Sequence, residues 1–319
     1  MNKNIIKKFT QEIRNIATNS NQKMIGILWD YFLCHFLYGF SFRDYKLSRA
    51  YQLKNALKAL VLTHKRWIKL VNTANLKDDV DLVLNKHKFA LHFRDYYGRD
   101  FIYPQKAGFE DFCKFIKSHN NVLQKPLNGN QAKGIKKVVI AQDNLLEEYN
   151  RMVEDDVLLE EIISQHPAMA KVGKSVNTIR VYSIYTGDKS VAIIKALMRA
   201  GTGDSLVDNF HAGGIFYPID LKSGLIVGKG INFKYEQFIN HPGYDFSLIG
   251  MKIPFWEEVS EIVTKAHCLI PNLRYIGWDI AITDDGPVII EANHDADHEM
   301  LEFIGEERFF YKKIKNYLK

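Results

Sequence analysis

The sequence has little cysteine, no internal repeat and no low-complexity tract. Only Cys34, Cys113 and Cys268 occur among 319 residues, and none lies in a CxxC pair. This spacing disfavours a disulfide framework or a zinc ribbon and favours a reducing, cytoplasmic location. The first residues are too polar for a secretory signal peptide, so none is expected. Hydrophobic residues at 46% and charged residues at 25% exclude a disordered or collagen-like chain.

The length and the charge set further limits. A chain of 319 residues is long enough for two or three packed lobes with a sizeable core. The formal net charge of +6 is a modest surplus, which is weak support for a polyanionic partner. Since RNA-binding and helix-turn-helix signatures are also lacking, we expect no nucleic-acid partner.

The longest apolar run covers residues 24–40 and carries Asp30 and His35. It is slightly short for a membrane span, so we interpret it as a buried helix, with a membrane-surface helix as the alternative. Around it, residues 1–78 have helical periodicity, and 49–72 place Leu53, Leu57 and Val61 on one stripe. Lysines and arginines cover the other side of that segment. They are either a solvated face or a surface for peripheral contact with an anionic membrane, at its inner face if the chain is cytoplasmic.

From about residue 80 the pattern alternates between strands and helices, which predicts an α+β fold. We predict a helical N-terminal region (1–78), an N-terminal lobe (79–160) and a C-terminal lobe (161–319). Strands are predicted at 120–127, 134–141, 156–163, 177–186, 190–199, 213–220, 224–230, 274–283 and 286–293. Helices are predicted at 108–119, 144–155, 255–270 and from about 306 onward.

The stretch from Gly277 to Asp297 is the most informative. Two apolar strands flank Asp284-Asp285-Gly286, which predicts a three-residue hairpin turn with Gly286 in the left-handed region. A turn centred on Asp285 places Asp279 opposite Glu291. Asn293, two residues further, would share their face of the sheet.

Neighbouring carboxylates between apolar strands need a cationic partner. A hard divalent ion such as Mg²⁺ prefers carboxylate and amide oxygens together with substrate phosphates, so Asp279, Glu291 and Asn293 are the predicted metal ligands. A solvated strand end is the alternative. His294 and His298, four residues apart, would suit a zinc helix, but no HExxH signature accompanies them.

The loop 128–134 is a candidate phosphate-binding element. Gly129 and Gly134 would let backbone amides approach phosphate oxygens, although neither a Walker A loop nor a Rossmann turn is present. Lys125 lies on the preceding strand, Lys86 opens the lobe, and Lys195 lies between apolar neighbours in a strand. A buried strand lysine needs an anionic partner, either a triphosphate or a local carboxylate.

The order of these parts resembles the ATP-grasp superfamily, and specifically the sugar-transfer-associated ATP-grasp family of bacterial surface-polysaccharide loci. The resemblance covers most of the chain and is strongest over 156–293, through VLLEEIISQHP, SVNTIRVYS and GWDIAIT…GPVIIEAN.

The resemblance implies that ATP lies between two α+β lobes, with Mg²⁺ on the hairpin residues. Lys86 and Lys125 would hold the α- and β-phosphates under a lid at 128–134, to which Lys133 would add a charge. The segment Glu160-Glu161-Ile162-Ile163 would read adenine through its backbone, and Gln165 or a neighbour would contact the ribose. Arg180, Lys195 and Arg199 would surround the γ-phosphate and an acyl phosphate. The lid is poor in glycine, and Pro167 stands where an acidic residue is common.

The implied reaction is carboxylate–amine ligation through an acyl phosphate, with a sugar or polysaccharide precursor as substrate. The polar segment 207–214 would lie at the co-substrate mouth, or form a plain structural loop. Its candidate substrate residues are Asp208, Asn209, His211 and Gly213. Two alternatives stay open, namely a kinase that phosphorylates a hydroxyl or carboxylate acceptor, and a non-catalytic nucleotide-binding regulator.

Overall fold

The computed structural model describes residues 3–128, 134–173, 175–202 and 214–319. Within these residues the chain forms two compact units. The first comprises residues 1–73 and 297–317 and the second comprises residues 74–296. The predicted α+β class is confirmed, since helices accompany two antiparallel sheets. The three-part division predicted from the sequence stays a prediction.

The first unit is helical. Its helices are α1 (Lys3–Ser20), α2 (Met24–Leu33), which continues as a π-helix (Cys34–Tyr38), α3 (Phe42–Leu47), α4 (Asn55–Lys58), α5 (His64–Ala74), and, from the C-terminal segment, α12 (His298–Phe303) and α13 (Phe310–Tyr317). Its core contains Ile13, Ile16, Ile27, Cys34 and Phe40.

Two predictions for this unit are wrong. The segment 49–72 is not one helical stripe, because Leu53 and Lys54 take extended backbone and separate a 3-10 turn from α4. Lys58 is buried against Asp30 instead of being solvated. The run 24–40 is helical but only half-buried, since one face packs on the core and the other is exposed. Within the described residues, no helix is both long and apolar enough to cross a membrane.

The second unit carries both sheets. Its helices are α6 (Val80–Leu84), α7 (Lys86–His92), α8 (Arg94–Tyr97), α9 (Phe109–Ser118), α10 (Leu145–Glu154) and α11 (Trp256–Cys268). In the described residues the smaller sheet has the order β1 (Phe101–Ile102), β4 (Val157–Glu161), β2 (Asn121–Pro126) and β3 (Lys136–Val139). The larger has the order β11 (Gly286–Asn293), β10 (Tyr275–Thr283), β5 (Thr178–Gly187), β6 (Ser190–Ala200), β7 (Ile215–Ile219), β8 (Gly230–Ile231) and β9 (Gln237–Phe238).

Most strands predicted from the sequence lie where they were expected, but 224–230 does not form a strand of that length. Its backbone hydrogen bonds alternate between two neighbouring segments. The Val227 amide donates to the Pro218 carbonyl, whereas the Ile226 amide donates to the Met251 carbonyl. The segment therefore makes single bridges on two sides instead of one continuous ladder. A two-residue turn joins β5 to β6, because Gly187 pairs with Ser190, and Asp188 and Lys189 both have positive φ there, as a tight hairpin turn requires.

Alternation along the strands divides the larger sheet into two faces. Val181, Ala196 and Trp278 are directly paired across three strands and belong to the main apolar core, together with Val259 and Val263 of α11. The residues one position before or after them along each strand point to the opposite face, which carries most of the predicted site.

His298 links the two chain segments of the first unit. Its Nε2 lies 2.9 Å from Asp44 Oδ1 and its Nδ1 lies 3.4 Å from Asp297. Burial alone would lower its pKa, but the two carboxylates raise the pKa of His298 to about 9. With both ring nitrogens facing carboxylates, the ring is a buried cation, which does not suit the zinc interpretation.

We expect His298 to make stability pH-dependent. Because its pKa is raised from 6.5 in the folded state, its contribution of about 3 kcal/mol is complete below pH 6.5 and is lost as the pH rises through about 9. Denaturant unfolding at both ends of this range should show the wild type losing more stability than His298→Gln. The exposed neighbour His64 is the control, and His64→Gln should retain the loss. Equal losses in the wild type and His298→Gln would contradict this role.

Candidate active site

The hairpin of β10 and β11 brings the predicted metal ligands together. Asp279 pairs directly with Glu291, as predicted, and Asn293 Nδ2 donates to Glu291 Oε1 at 3.1 Å. The predicted turn was wrong by one residue, because Thr283 pairs with Gly286 and only Asp284 and Asp285 form the loop. A bulge after Asp279 adds one residue on β11 and restores the predicted pairing.

Four strands contribute to this polar face. Direct pairing aligns Arg180 with both Asp279 and Leu197, so the alternate residues Lys195 and Arg199 share the face. The structure thus brings Arg180, Lys195, Arg199, Asp279, Glu291 and Asn293 to one side of the sheet, at positions far apart in the chain. Phe216 of β7, paired with Arg199, borders the group.

Asp279 is buried and is held by two arginines. Arg180 Nε donates to its Oδ1 at 2.5 Å and Arg180 Nη2 to its Oδ2 at 3.0 Å, while Arg199 Nη1 donates to Oδ2 at 2.6 Å. Burial alone would raise the pKa of Asp279, but the two guanidinium groups hold it well below its usual range. Asp279 is therefore ionised and already neutralised by this chain's own cations. The sequence argument that it requires a metal ion does not hold for this residue alone.

Glu291 is in the opposite situation. Its side chain keeps contact with solvent, yet desolvation by the surrounding cleft and the negative charge of Asp279 raise the pKa of Glu291 to about 7. A carboxylate whose ionisation is disfavoured in this way is stabilised by an added cation. Two carboxylates and an amide oxygen on one face match the donor set of a hard divalent ion, so the residues present fit Mg²⁺.

Gly277 makes room for Arg180. A Cβ atom at position 277 would come within 2.4 Å of the Ala296 Cβ and 3.3 Å of the Arg180 Cδ. The contact with Ala296 is closer than packed carbon atoms allow and the one with Arg180 is tight, so a glycine fits best where the arginine side chain crosses β10.

The smaller sheet carries a second charged cluster. Glu160 accepts hydrogen bonds from Lys125 Nζ at 2.7 Å, Arg99 Nε at 2.6 Å and the Tyr97 hydroxyl at 2.7 Å, and it is fully buried. Burial would raise the pKa of Glu160, but Arg99 and Lys125 lower it to about 2. Burial lowers the pKa of Lys125, against the pull of Glu160. Lys125 thus has a local carboxylate partner, which was the alternative to a phosphate in the sequence argument.

The two clusters interact. The charge of Glu291 acts on both Lys125 and Lys86, and Glu160 also acts on Lys86. Burial lowers the pKa of Lys86, which begins α7 and is half-buried. Arg99 Nη1 donates to the Ile289 carbonyl of β11 at 3.0 Å, so the smaller sheet is tied to the hairpin that carries Glu291. The two lysines predicted for phosphate and Glu291, one of the predicted metal ligands, therefore lie within electrostatic range of each other.

The remaining predicted residues differ in how well the geometry suits their roles. The Glu161 amide donates to the Asp100 carbonyl, so it is not available to adenine, whereas Ile163 lies beyond the last strand residue. Gln165 uses both amide atoms on the backbone of Asn177, at 2.6 and 3.2 Å. This contact gives Gln165 a structural function, and its predicted contact with ribose stays untested.

Gly134, the last residue of the loop predicted to bind phosphate, packs against β2. It has φ +77°, and a Cβ there would meet the Pro126 side chain at 2.8 Å. The other predicted loop residues lie outside the described residues, namely Gly129 and Lys133 in the lid and Asp208, Asn209, His211 and Gly213 in the co-substrate segment.

Sequence reasoning missed Arg99, Tyr97 and the side chain of Glu160. Arg99 stacks on Tyr97, with its guanidinium carbon 3.4 Å from the ring centre. The only sequence signal was the acidic residue itself, since Glu160 interrupts the apolar run of β4 and needs a buried cation.

Comparison with known proteins identifies the class and then the family. Residues 86–316 match the family described as sugar-transfer associated ATP-grasp, which is well over half of the chain. The chain therefore belongs to the sugar-transfer associated ATP-grasp family, and its fold is the ATP-grasp fold. A comparison with curated proteins found no significant match.

Several solved structures are similar to this chain at low identity. The ATP-grasp ligase PsnB, complexed with a minimal precursor, Mg and ADP, is 15% identical, with a TM-score of 0.46, over 77% of this chain and 62% of PsnB. N5-carboxyaminoimidazole synthetase from Staphylococcus aureus, complexed with ADP, is 10% identical with a TM-score of 0.46, over 72% of this chain and 50% of the synthetase. The L-amino acid ligase from Bacillus licheniformis is 14% identical with a TM-score of 0.46, over 75% of this chain and 48% of the ligase. This chain thus spans less than two thirds of each of these three proteins.

We expect Glu160→Gln to destabilise the second unit strongly. The substitution leaves the buried charges of Arg99 and Lys125 without their shared carboxylate, which typically costs about 3–5 kcal/mol. Thermal unfolding should show a large fall in Tm. Glu161→Gln is the matched control, since its amide oxygen can still accept from the Asp100 amide. Equal Tm values for the two variants would show that the cluster does not stabilise the fold.

Proposed function

We propose that this protein is an ATP- and Mg²⁺-dependent carboxylate–amine ligase that acts through an acyl phosphate. Its substrate would be a sugar or polysaccharide precursor. The observation that carries the proposal is the arrangement of Asp279, Glu291 and Asn293 on one strand face, within electrostatic range of Lys86 and Lys125. Membership of the sugar-transfer associated ATP-grasp family supports the reaction class and the sugar-linked substrate.

Each residue has a role that follows from its charge and position. Lys86 and Lys125 would bind phosphate oxygens, and Glu291 and Asn293, with Asp279, would hold Mg²⁺. When bound, the ion would neutralise charge between the β- and γ-phosphates. Arg180 and Arg199 would keep Asp279 ionised and, with Lys195 on the same face, offset the charge of the phosphoryl group in transfer. No side-chain nucleophile would be required, because the substrate carboxylate would attack the γ-phosphorus and release ADP, and the amine would then attack the acyl carbon and release inorganic phosphate.

Two features of the site support phosphoryl transfer between groups that are held in fixed positions. The arginines are fixed by bidentate and short contacts, so their positions cost little reorganisation during the reaction. The polar face lies on a sheet whose other face is fully packed, which gives the reacting groups a rigid support. Holding the acceptor and the phosphate in line can supply ~7–11 kcal/mol of barrier lowering.

Glu291→Gln is the cleanest test of the metal role. It removes one anionic oxygen donor but leaves the Asp279–arginine pairs intact, whereas Asp279→Asn would also leave two buried arginines unpaired. We expect ADP formation in a screen of carboxylates and amines to be abolished, with Tm retained. Asp285→Asn, at the tip of the same hairpin, is the matched control and should be fully active. Full turnover by Glu291→Gln would refute the metal role.

Lys86→Ala tests the phosphate role. Loss of one charge-assisted contact should raise the KM for ATP roughly tenfold or more. Lys88→Ala is the control, because Lys88 lies on the same helix but is exposed and paired with Asp81. An unchanged KM in Lys86→Ala would count against the assignment. A stable phosphorylated product formed without an amine would indicate a kinase instead.

A further inference from the structure

Helix α2 and its π-helical extension together expose a continuous row of large apolar side chains. The row comprises Ile25, Trp29, Phe32, Leu33, Phe36 and Leu37, and we call it the apolar stripe. Trp29 is 66% exposed, Phe36 78% and Leu37 67%. Spacings of three and four residues place these side chains along one side of the helix.

The other side of the same helix is also apolar. Ile27 and Cys34 are fully buried in the core of the first unit with Ile13 and Ile16 of α1. A helix that is apolar on all sides is stable in water only when something covers its second face. An exposed patch of this size marks a contact with a membrane or another protein.

The stripe carries no unpaired ionised group. His35, whose Nδ1 lies 2.8 Å from the Phe40 carbonyl oxygen, is the one basic side chain between residues 24 and 38, and Asp30 is the one acidic side chain. Asp30 binds the buried Lys58 at 2.5 Å and accepts from the Tyr45 hydroxyl at 2.9 Å. Its charge is therefore neutralised on the core side of the helix, so the six side chains of the stripe can enter an apolar medium without burying the charge of Asp30.

Cations flank both ends of the stripe. Exposed Lys23 immediately precedes α2. Exposed Lys65 lies beside Gly39 at the other end, where an added Cβ would come within 3.1 Å of its side chain. The unit, residues 1–73 and 297–317, contains 17 Lys and Arg against eight Asp and Glu, and only three of the acidic groups belong to residues 1–73. All three acidic groups, Glu12, Asp30 and Asp44, are already paired within the unit.

We propose that the first unit binds the surface of an anionic lipid bilayer through the apolar stripe. The helix would lie in the plane of the interface, with Trp29, Phe32 and Phe36 at the boundary between headgroups and acyl chains. Lys23 and Lys65 would contact lipid phosphates. Charge complementarity favours this occupant over a second copy of the chain, because two surfaces with the same strong positive excess repel each other. The proposal does not depend on the ligase activity, since it uses other residues and requires no nucleotide.

Vesicle sedimentation of the full chain tests the proposal. The probes are vesicles of phosphatidylcholine alone, and of phosphatidylcholine with phosphatidylglycerol in equal parts. We expect binding to the anionic vesicles only, weakened by high salt because the cations are exposed. The double variant Phe36→Ser and Leu37→Ser should bind at least roughly tenfold more weakly. Both side chains are exposed, so circular dichroism should show an unchanged fold.

The matched control places the same kind of substitution elsewhere. Leu146→Ser with Ile239→Ser changes two exposed apolar residues of the second unit and should bind vesicles like the wild type. A second readout is the quenching of tryptophan fluorescence by brominated lipid. It should be strong in the wild type and much weaker in Trp29→Phe, because Trp256 and Trp278 are buried and the half-buried Trp67 stacks on His298.

Three results would overturn the proposal. The first is equal binding to neutral and anionic vesicles, and the second is equal binding by the stripe variant and its control. The third is a wild type that forms a dimer and binds no vesicles, together with a stripe variant that is monomeric. This result would make the stripe an interface between copies of the chain. ADP formation by the stripe variant, measured in parallel, separates failure of this proposal from failure of the ligase proposal.

Discussion

The burial of Asp279 is the constraint on which the larger sheet depends. A carboxylate without solvent must be ionised beside cations or remain protonated, and here Arg180 and Arg199 supply both the charge and the hydrogen bonds. These arginines reach it only because β5, β6 and β10 are adjacent and in register, and because Gly277 leaves room for a side chain. In the same register, the residues before and after Arg180 and Asp279 along their strands point to the apolar core. The polar site and the core therefore both follow from one strand pairing.

Glu291 shows how this arrangement leads toward function. Arg180 and Arg199 pair with Asp279. Burial, together with repulsion from Asp279, raises the pKa of Glu291 to about 7. The smaller sheet solves a similar problem differently, because Arg99 and Lys125 neutralise Glu160 completely and lower its pKa to about 2. One centre is thus satisfied by the protein alone. In the other, the ionisation of Glu291 stays disfavoured although Arg180, Lys195 and Arg199 share its face, and this contrast is what an ATP- and metal-dependent ligase would use.

For the hairpin of β10 and β11, the sequence predicted the right residue pair but the wrong turn. The sequence placed Asp279 opposite Glu291 by assuming a three-residue turn, whereas the chain uses two loop residues and a bulge at Ile290. Turn residues and alternation are local signals, so they identified the hairpin and its polar face. A bulge depends on how a strand must bend to pack against its neighbours, and local residue types do not encode that. Lys58 was misjudged for a similar reason, since its partner Asp30 lies 28 residues away.

The sequence by itself determined the α+β class, the order of most helices and strands, the family, and the strand face on which Asp279, Glu291 and Asn293 lie. Those properties follow from periods of two and 3.6 residues and from turn chemistry, which act over a few residues. Only the tertiary structure decided which charges neutralise each other, because Arg180 and Arg199 meet Asp279 across 99 and 80 residues of chain. It also decided which side of the apolar run at 24–38 is exposed, since burial depends on the surface that the rest of the fold offers for packing.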